Sequence, residues 1–312
     1  MLAMPTMGFG RSVNEHNVEL DILCDWIEGS VLFSTNPLSQ PEVVDVLCEN
    51  FIYAKQDMAS QRVSNAWSEL RKRHAGLGGS TPFAFEALSI QLRGEPWDIS
   101  PAHAFCILLS LARWYRGWAR QFGRDYSEQG ELFEHVTKEA LEALFADWTV
   151  GQTGWSPRHA TKLKGVVKLV CKWLGESEGD FEKWTAGEEN EAGLDLVCYR
   201  PFADGRAGFP ALFFQCASGD WEGKLETPKM QLWRKVVDFT AENLPVKAFS
   251  TPFAFLDHDF AQKCMLVNGL LLDRYRLLGA GARKSDWVSD KLKRRLMKWG
   301  KPRARKLPKM EE

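Results

Sequence analysis

Apolar residues recur at helical spacing through most of the first 125 residues. Between residues 41 and 74 they lie mostly three or four positions apart, which predicts one long helix or two shorter ones. The stretch at residues 82–92 predicts a further short helix. Ser100 followed by Pro101 is typical of a helix N-terminus, and the apolar run behind it predicts a helix to about residue 122. The pattern therefore predicts a helical N-terminal domain over residues 1–125.

Short β-prone runs appear in the second half of the chain, among further helical stretches. The runs at residues 194–199 and 211–216 are separated by turn residues, and they predict neighbouring antiparallel strands. The other predicted elements are helices near 132–148, 157–174 and 225–243, a loop at 176–191, a strand at 246–256 and a helix or strand at 266–278. Together these elements predict a mixed α/β domain (α+β mixed) over residues 126–282.

The composition is typical of a globular protein, with 45% hydrophobic and 26% charged residues. Seven cysteines are spread along the chain without a C-x-x-C pair, which favours a reducing compartment and argues against a zinc knuckle. The N-terminus lacks the apolar core of a signal peptide, and no stretch of about 18 apolar residues occurs anywhere. We therefore expect a cytoplasmic protein without a membrane partner.

Charge is distributed unevenly along the chain. Residues 283–312 hold twelve basic and four acidic side chains, whereas the whole chain has a net charge of -1. A basic segment of this kind is typical of an arm that binds a polyanion. We predict a basic C-terminal tail, helical from about residue 284 to 299, that contacts nucleic-acid phosphates. The predicted contacts are Lys291, Lys293, Arg294, Arg295 and Lys298. A solvated charged tail without a ligand is the alternative.

Candidate chemistry lies on the two predicted neighbouring strands. Asp195 opens the first strand, and Gln215 closes the second after an apolar run. A carboxylate and an amide oxygen that converge from adjacent strands suit Mg²⁺, a hard ion that prefers oxygen ligands. Such an ion lowers the pKa of a bound water and stabilises the charge of a scissile phosphate. The alternatives are a strand-end cap for Asp195 and a buried, hydrogen-bonded amide for Gln215.

The strings G-L-D-L-V-C-Y at residues 193–199 and Q-C-A-S-G-D-W at residues 215–221 resemble the core of the PD-(D/E)xK nuclease superfamily. In that superfamily an Asp on one strand and a Glu or Gln on the next are followed by a Lys. The resemblance implies a restriction-endonuclease-like mixed sheet flanked by helices. It also implies that Asp195 and Gln215 bind Mg²⁺ or Mn²⁺, together with the backbone carbonyl of Cys216.

The resemblance implies two further site residues. Ala217 stands where the Lys is usual, and Lys224, at the start of the next predicted helix, would supply that charge instead. The string G-E-L-F-E at residues 130–134 is similar to the opening of the helix that adds a Glu to the site. Glu134 is therefore the third candidate metal ligand, with an ordinary exposed helix position as the alternative.

The resemblance implies a Mg²⁺-dependent endonuclease, a hydrolase that cuts nucleic acid. DNA is favoured over RNA as the substrate, and the sequence leaves both open. Together, Q-C-A-S-G-D-W before a predicted long helix and the later L-L-L-D-R-Y-R at residues 270–276 resemble a prokaryotic subgroup found in phage-defence and restriction-like systems. This resemblance implies a protein partner in a defence complex. The substitution at Ala217 keeps a second hypothesis open, a catalytically inactive adaptor that binds nucleic acid or a partner protein. A helical scaffold without a nucleic-acid role is the third.

Other clusters give weaker indications. Asp257-His258-Asp259 offers metal-binding side chains, but neighbouring residues on a strand point to opposite faces. His103 and His135 are interpreted as core or surface histidines. Trp114 and Trp118 lie four residues apart among arginines, a pattern that suits base stacking or a helix interface equally. No phosphate-binding glycine motif and no G-x-S-x-G string occurs in the sequence.

Overall fold

The computed structural model describes residues 1–5, 7–10, 18–34, 36–122, 126–153, 163–185, 192–241 and 245–310. Its helices are α1 (Leu20–Ser34), α2 (Gln40–Glu49), α3 (Gln56–Ala75), α4 (Pro96–Ile99), α5 (Pro101–Trp114), α6 (Arg116–Arg120), α7 (Tyr126–Leu144), α8 (Leu163–Leu174), α9 (Phe181–Trp184), α10 (Met230–Val236), α11 (Asp257–Val267), α12 (Arg274–Leu278), α13 (Ala280–Arg283) and α14 (Asp290–Ala304).

The strands of the described residues are β1 (Leu38–Ser39), β2 (Phe83–Phe85), β3 (Ser89–Leu92), β4 (Thr149–Gln152), β5 (Ser177–Glu178), β6 (Leu196–Tyr199), β7 (Ala211–Cys216), β8 (Val237–Asp238), β9 (Val246–Ser250) and β10 (Leu270–Leu272). The chain divides into two compact units. Unit 1 comprises Met1–Asp125, Pro252–Phe255 and Gly281–Glu312, and unit 2 comprises Tyr126–Thr251 and Leu256–Ala280. None of the described helices is long and apolar enough to cross a membrane.

Unit 1 is built mainly from helices. Helix α1 packs against α3 and α5, and α2 packs against α3. The interior between them contains the fully buried rings of Trp26, Trp67 and Phe105. The sequence left open one long helix or two shorter ones over residues 41–74, and the structure has the two helices α2 and α3.

The helix predicted at residues 82–92 is wrong, because this stretch forms the antiparallel strands β2 and β3. Phe83 and Ile90 are buried, and Phe83 pairs with Leu92 across the hairpin. Strand β3 also pairs with β1, which gives a three-stranded sheet. A short apolar run cannot be assigned to a helix or a strand from its periodicity alone, and here the hairpin turn at residues 86–88 decides in favour of strands.

The basic C-terminal segment belongs to unit 1 and is not a detached tail. Its helix α14 begins at Asp290 rather than near residue 284, because the hydroxyl of Ser289 caps it by accepting a hydrogen bond from the backbone N–H of Leu292 at 3.2 Å. Leu292, Leu296 and Trp299 are buried along one side of α14, which packs against α5. Their spacing of four and three residues is the amphipathic pattern that holds the helix on the unit.

Unit 2 contains a five-stranded mixed sheet in the order β10-β9-β7-β6-β4. Strands β4, β6 and β7 are antiparallel neighbours, whereas β7, β9 and β10 run parallel. The predicted antiparallel pair is confirmed, with Leu196 opposite Phe214 and Cys198 opposite Leu212. The prediction of a mixed α/β fold with a mixed sheet and flanking helices is confirmed as well.

The core of unit 2 lies between the sheet and helices α8 and α10. Val166 and Val170 of α8 are buried with Phe213 of β7 and Trp233 of α10. The Phe213 and Trp233 rings meet edge to face with centroids 5.5 Å apart, a favoured aromatic geometry. Helix α7 contacts strands β4, β6 and β7. Helix α7, which carries Glu134, therefore packs against the strands that adjoin or carry the other candidate residues.

Three element boundaries in unit 2 differ from those predicted. The helix predicted over residues 225–243 is shorter, since α10 ends at Val236 and the chain continues as strand β8. The strand predicted to residue 256 ends at Ser250, before Pro252, and Asp257 begins α11. The acidic stretch predicted as a loop at 176–191 includes β5 and α9, and residues 186–191 lie outside the described residues.

Candidate functional site

The structure brings Asp195 and Gln215 together at one end of the sheet. Asp195 precedes β6, and its backbone N–H donates a 2.9 Å hydrogen bond to the carbonyl of Phe214, so the strand pairing extends to this residue. Gln215 follows Phe214 on β7. Its Nε2 donates to Oδ2 of Asp195 at 2.5 Å, and both residues are buried. This hydrogen bond joins the two side chains across the neighbouring strands.

Hydrogen bonds from Cys216 and Thr153 also hold Asp195 in place. The backbone N–H of Cys216 donates to Asp195 Oδ2 at 2.5 Å. Thr153, just after β4, donates its N–H to the carbonyl of Asp195 at 3.0 Å and its hydroxyl to the carbonyl of Leu194 at 2.7 Å. Sequence reasoning missed Thr153, because a single threonine after a short strand carries no signal of its own.

Glu134 approaches the same end of the sheet from α7. Near the start of that helix, Gln129 Nε2 donates to the carbonyl of Ser218 at 3.1 Å, which ties α7 to the segment after β7. Gln152 of β4 donates from Nε2 to Oε2 of Glu134 at 3.1 Å. Glu134 is thus not the exposed helix position that was its alternative. Gln152 is a second neighbour of the site that the sequence did not reveal.

The electrostatics of Glu134 link it to the other candidate residues. Burial and the nearby Asp195 carboxylate raise the pKa of Glu134 to about 8, and the Gln152 hydrogen bond and the Lys224 ammonium partly offset that rise. A carboxyl group with a raised pKa beside a second carboxylate is typical of a functional site. The same carboxylate pair is the arrangement that a divalent cation neutralises.

Lys224 lies on an exposed 3₁₀ turn, Glu222–Lys224, and not at the start of a helix as predicted. Helix α10 begins only at Met230, and residues 225–229 between the 3₁₀ turn and this helix are irregular. Lys224 nevertheless lies near enough to Glu134 for its positive charge to lower the pKa of that carboxyl group. Ala217, at the usual position of the lysine, is fully buried.

The donor set fits a hard divalent cation. Glu134 and Asp195 supply carboxylate oxygens, and the Gln215 side chain and the Cys216 carbonyl lie beside them, 3.3 Å apart from nitrogen to oxygen. Gln215 turns its amide nitrogen toward Asp195, whereas a ligand role requires the amide oxygen to face the same point. Rotating the Gln215 side-chain amide by a half-turn would place its oxygen toward Asp195. The Gln215 amide oxygen and the Asp195 carboxylate oxygen would then repel each other unless a cation or a proton lay between them.

In metal-free protein, we expect the free energy of unfolding to fall as pH rises from about 5 to about 8. The folded chain holds the Glu134 proton more tightly than the unfolded chain, whose pKa is near the ordinary 4.5. Between pH 4.5 and about 8 the folded chain binds more protons than the unfolded chain. The free energy of unfolding therefore decreases with rising pH and levels off above the pKa of Glu134 in the folded chain. Urea midpoints measured in chelator across this range check the slope.

The matched control for that titration is Glu128→Gln, an exposed change on the same helix. Glu134→Gln should flatten the pH dependence, whereas Glu128→Gln should leave it as in the wild type. Equal slopes for wild type and Glu134→Gln would show that Glu134 does not titrate in this window.

The basic residues predicted to contact nucleic acid divide into two groups on α14. Lys291, Arg294 and Lys298 are exposed at a spacing of three and four residues, so they lie along one face of the helix. Lys293 instead donates from Nζ to the carbonyl of Asp98 at 3.0 Å, and Arg295 is half-buried. We call Lys291, Arg294 and Lys298 the basic stripe. Lys293 and Arg295 are not part of it.

Several weaker candidates are resolved by the structure. Trp118 is buried, and its Nε1 donates to the carbonyl of Arg303 at 3.1 Å, which favours the helix interface over base stacking. Asp257 and Asp259 lie on a helix, α11, so the strand argument against a metal site there does not apply. The imidazole of His135 lies 3.7 Å from Glu131 on the surface of α7.

Comparisons with protein-family models, with curated proteins and with solved structures give no match for this chain. The functional argument therefore rests on the geometry and chemistry of the chain itself.

Proposed function

We propose that this chain is a metal-dependent nuclease that hydrolyses phosphodiester bonds of nucleic acid, built on a restriction-endonuclease-like PD-(D/E)xK core. One observation carries the proposal. Asp195, Gln215 and Glu134, which lie far apart in sequence, meet at one end of a mixed sheet, with the ammonium of Lys224 close enough to affect Glu134. Two carboxylates, an amide and a lysine in one place form the donor set that the sequence resemblance implies for such a core.

Each residue of the set has a distinct part. Asp195, Glu134 and Gln215 would hold Mg²⁺ or Mn²⁺, with the Cys216 carbonyl beside them. The bound cation would favour ionisation of a water and stabilise the charge that develops on the phosphate. Glu134 must give up its proton to act as a ligand, so cation binding becomes stronger as pH rises toward about 8. Lys224 would place positive charge near the attacking water.

The wider setting is also proposed from the resemblance. We infer DNA rather than RNA as substrate, a protein partner within a prokaryotic antiviral defence complex, and a cytoplasmic location. The described cysteines are all free thiols, which suits a reducing compartment. The basic stripe would add sequence-independent phosphate contacts.

A second function, a catalytically inactive adaptor, is favoured by a specific observation. Asp195 Oδ2 already accepts hydrogen bonds from Gln215 Nε2 and from the Cys216 N–H, so the site is satisfied as a purely structural cluster. The buried Ala217 in place of the usual lysine points the same way. This adaptor would bind nucleic acid or a partner protein without cleaving a bond.

The proposal is tested by incubating the full chain with linear, circular and single-stranded DNA and with RNA, in Mg²⁺, Mn²⁺, Ca²⁺ or chelator. Cleavage in Mg²⁺ or Mn²⁺ that chelator abolishes supports the nuclease. Binding without cleavage in every cation supports the adaptor. Because a nuclease of a defence system is commonly held inactive, the assay also includes extract from phage-infected cells, with the Asp195→Asn chain in the same extract as the blank.

The basic stripe gives a separate prediction for binding. Changing Lys291, Arg294 and Lys298 to Glu should weaken DNA binding and reduce the dependence of log K on log salt by about 0.9 for each phosphate that the chain no longer neutralises. The control exchanges three other exposed basic residues, Lys72, Arg116 and Arg120, for Glu and has the same net charge. Equal salt slopes for the two triple variants would show that the stripe makes no specific phosphate contacts.

A further inference from the structure

A second cluster of ligand-type side chains lies inside unit 1. Glu28 of α1, His74 of α3 and His103 of α5 are all buried, with exposures of 0%, 3% and 0%. One potential ligand atom from each residue lies within 4.8 Å of the other two. Imidazole nitrogens and carboxylate oxygens are both common ligands of transition-metal ions.

One distance within this cluster matches the ligand spacing of a tetrahedral ion. Nε2 of His103 lies 3.6 Å from Oε1 of Glu28. Ligand bonds of 2.0 to 2.1 Å in tetrahedral geometry place neighbouring ligand atoms about 3.4 Å apart. His74 Nε2 makes a short direct contact with the same Glu28 oxygen, so these two atoms would have to move apart by about 1 Å to share an ion.

The orientation of His74 is set by a hydroxyl. Its Nδ1 lies 2.8 Å from Thr81 Oγ1, and the same oxygen accepts a 3.3 Å hydrogen bond from the backbone N–H of Phe83. If Nδ1 carries the proton toward Thr81, Nε2 keeps its lone pair on the side of Glu28. Metal-binding histidines usually have their second ring nitrogen held by such a partner, which fixes both tautomer and ring direction.

Aromatic rings pack around the two imidazoles. Helix α1 packs against α3 and α5, and the His74 and His103 rings are stacked with centroids 5.4 Å apart. The Phe83 ring contacts both imidazoles, with centroids 5.0 Å from His74 and 5.7 Å from His103. Burial of this kind strengthens the attraction between a cation and the Glu28 carboxylate.

We propose that Glu28, His74 and His103 bind one Zn²⁺ ion, through a carboxylate oxygen and the two Nε2 atoms. The chemistry favours Zn²⁺ over Mg²⁺, because imidazole suits Zn²⁺ whereas Mg²⁺ prefers an all-oxygen set. Three protein ligands leave a fourth position, which a water would fill. The site is independent of the proposed nuclease centre, since it uses other residues, in unit 1, and another donor set.

The test uses the full chain carrying Asp195→Asn, which disables the separate site in unit 2. After removal of metals with chelator, Zn²⁺ is titrated by calorimetry against a competing chelator. We expect one Zn²⁺ per chain, and a loss of affinity of about 100-fold or more in His74→Gln, His103→Gln and Glu28→Gln. His258→Gln, an exposed histidine on α11, should bind Zn²⁺ like the parent. Thr81→Val should lose about 10- to 100-fold.

A second measurement does not depend on variants that fold poorly. X-ray absorption of the Zn²⁺-loaded parent chain should show imidazole nitrogen and oxygen ligands and no sulfur. Sulfur ligands would assign the ion to cysteines and overturn the proposal. The absence of Zn²⁺ binding in the parent, or unchanged affinity in a folded His103→Gln chain, would also overturn it and identify the cluster as a buried ion pair.

Discussion

Replacing Asp195 by Asn should lower the rate of Mg²⁺-dependent cleavage by about three orders of magnitude or more, while DNA binding in Ca²⁺ stays close to that of the wild type. The exchange removes a negatively charged ligand from the cation and keeps the size of the side chain. Because catalysis depends on charge stabilisation in the transition state, the loss falls on the rate of cleavage and not on the affinity for DNA.

The Asp195 side chain also has a structural part, which the experiment must separate. Its Oδ2 accepts from Gln215 Nε2 and Cys216 N–H, and Asn at this position places an amide beside those donors. A stability loss of about 1 to 3 kcal/mol is expected from one unsatisfied buried group. Cleavage rates of the wild type and Asp195→Asn are therefore compared at a temperature well below the unfolding midpoint of both proteins. Asp204→Asn, an exposed exchange of the same type, is the control. Cleavage equal to that of the wild type would remove Asp195 from the mechanism.

Replacing Lys224 by Met should lower the cleavage rate by about 100-fold and leave DNA affinity nearly unchanged. Methionine keeps the length of the side chain and removes the charge that would favour ionisation of the attacking water. The loss of that charge should also raise the pKa of Glu134, because the Lys224 ammonium now lowers it. The pH at which the rate is half-maximal should therefore move upward.

Lys229→Met is the matched control for Lys224. Lys229 is exposed on the same segment, just before α10. A similar loss of rate in both variants would indicate a general effect of charge on substrate binding. A loss confined to Lys224→Met, with a shifted pH profile, supports its place beside the cation. If neither Asp195→Asn nor Lys224→Met changes the biological phenotype, the adaptor is the better account.

The sheet of unit 2 was predictable to the extent that its strands are short, apolar and bounded by turns. The run predicted at 211–216 is β7. Its predicted antiparallel partner at 194–199 is confirmed as β6, which begins at Leu196. The hairpin of β2 and β3 was missed because its apolar residues fit a helical spacing as well. Helix α14 was placed too early, since its first residue is decided by the Ser289 cap.

The candidate site was predictable only where a motif marked it. Asp195 lies just before β6 and Gln215 near the end of the neighbouring β7, and these positions predict that the two side chains converge. Gln152 and Thr153 support the site through single hydrogen bonds that leave no pattern in the sequence. The cluster of Glu28, His74 and His103 was missed for a related reason, since its members lie on three separate helices and only packing brings them together.

Calorimetric titration of Mn²⁺ into the metal-free chain tests the central claim, a cation centre at Asp195, most directly. Mn²⁺ prefers the same oxygen ligands as Mg²⁺, and comparison with Asp195→Asn isolates the centre in unit 2 from any other binding. The account predicts one Mn²⁺ more per chain for the wild type than for Asp195→Asn, with proton release near neutral pH as Glu134 ionises. Identical Mn²⁺ isotherms for the two folded proteins would contradict it.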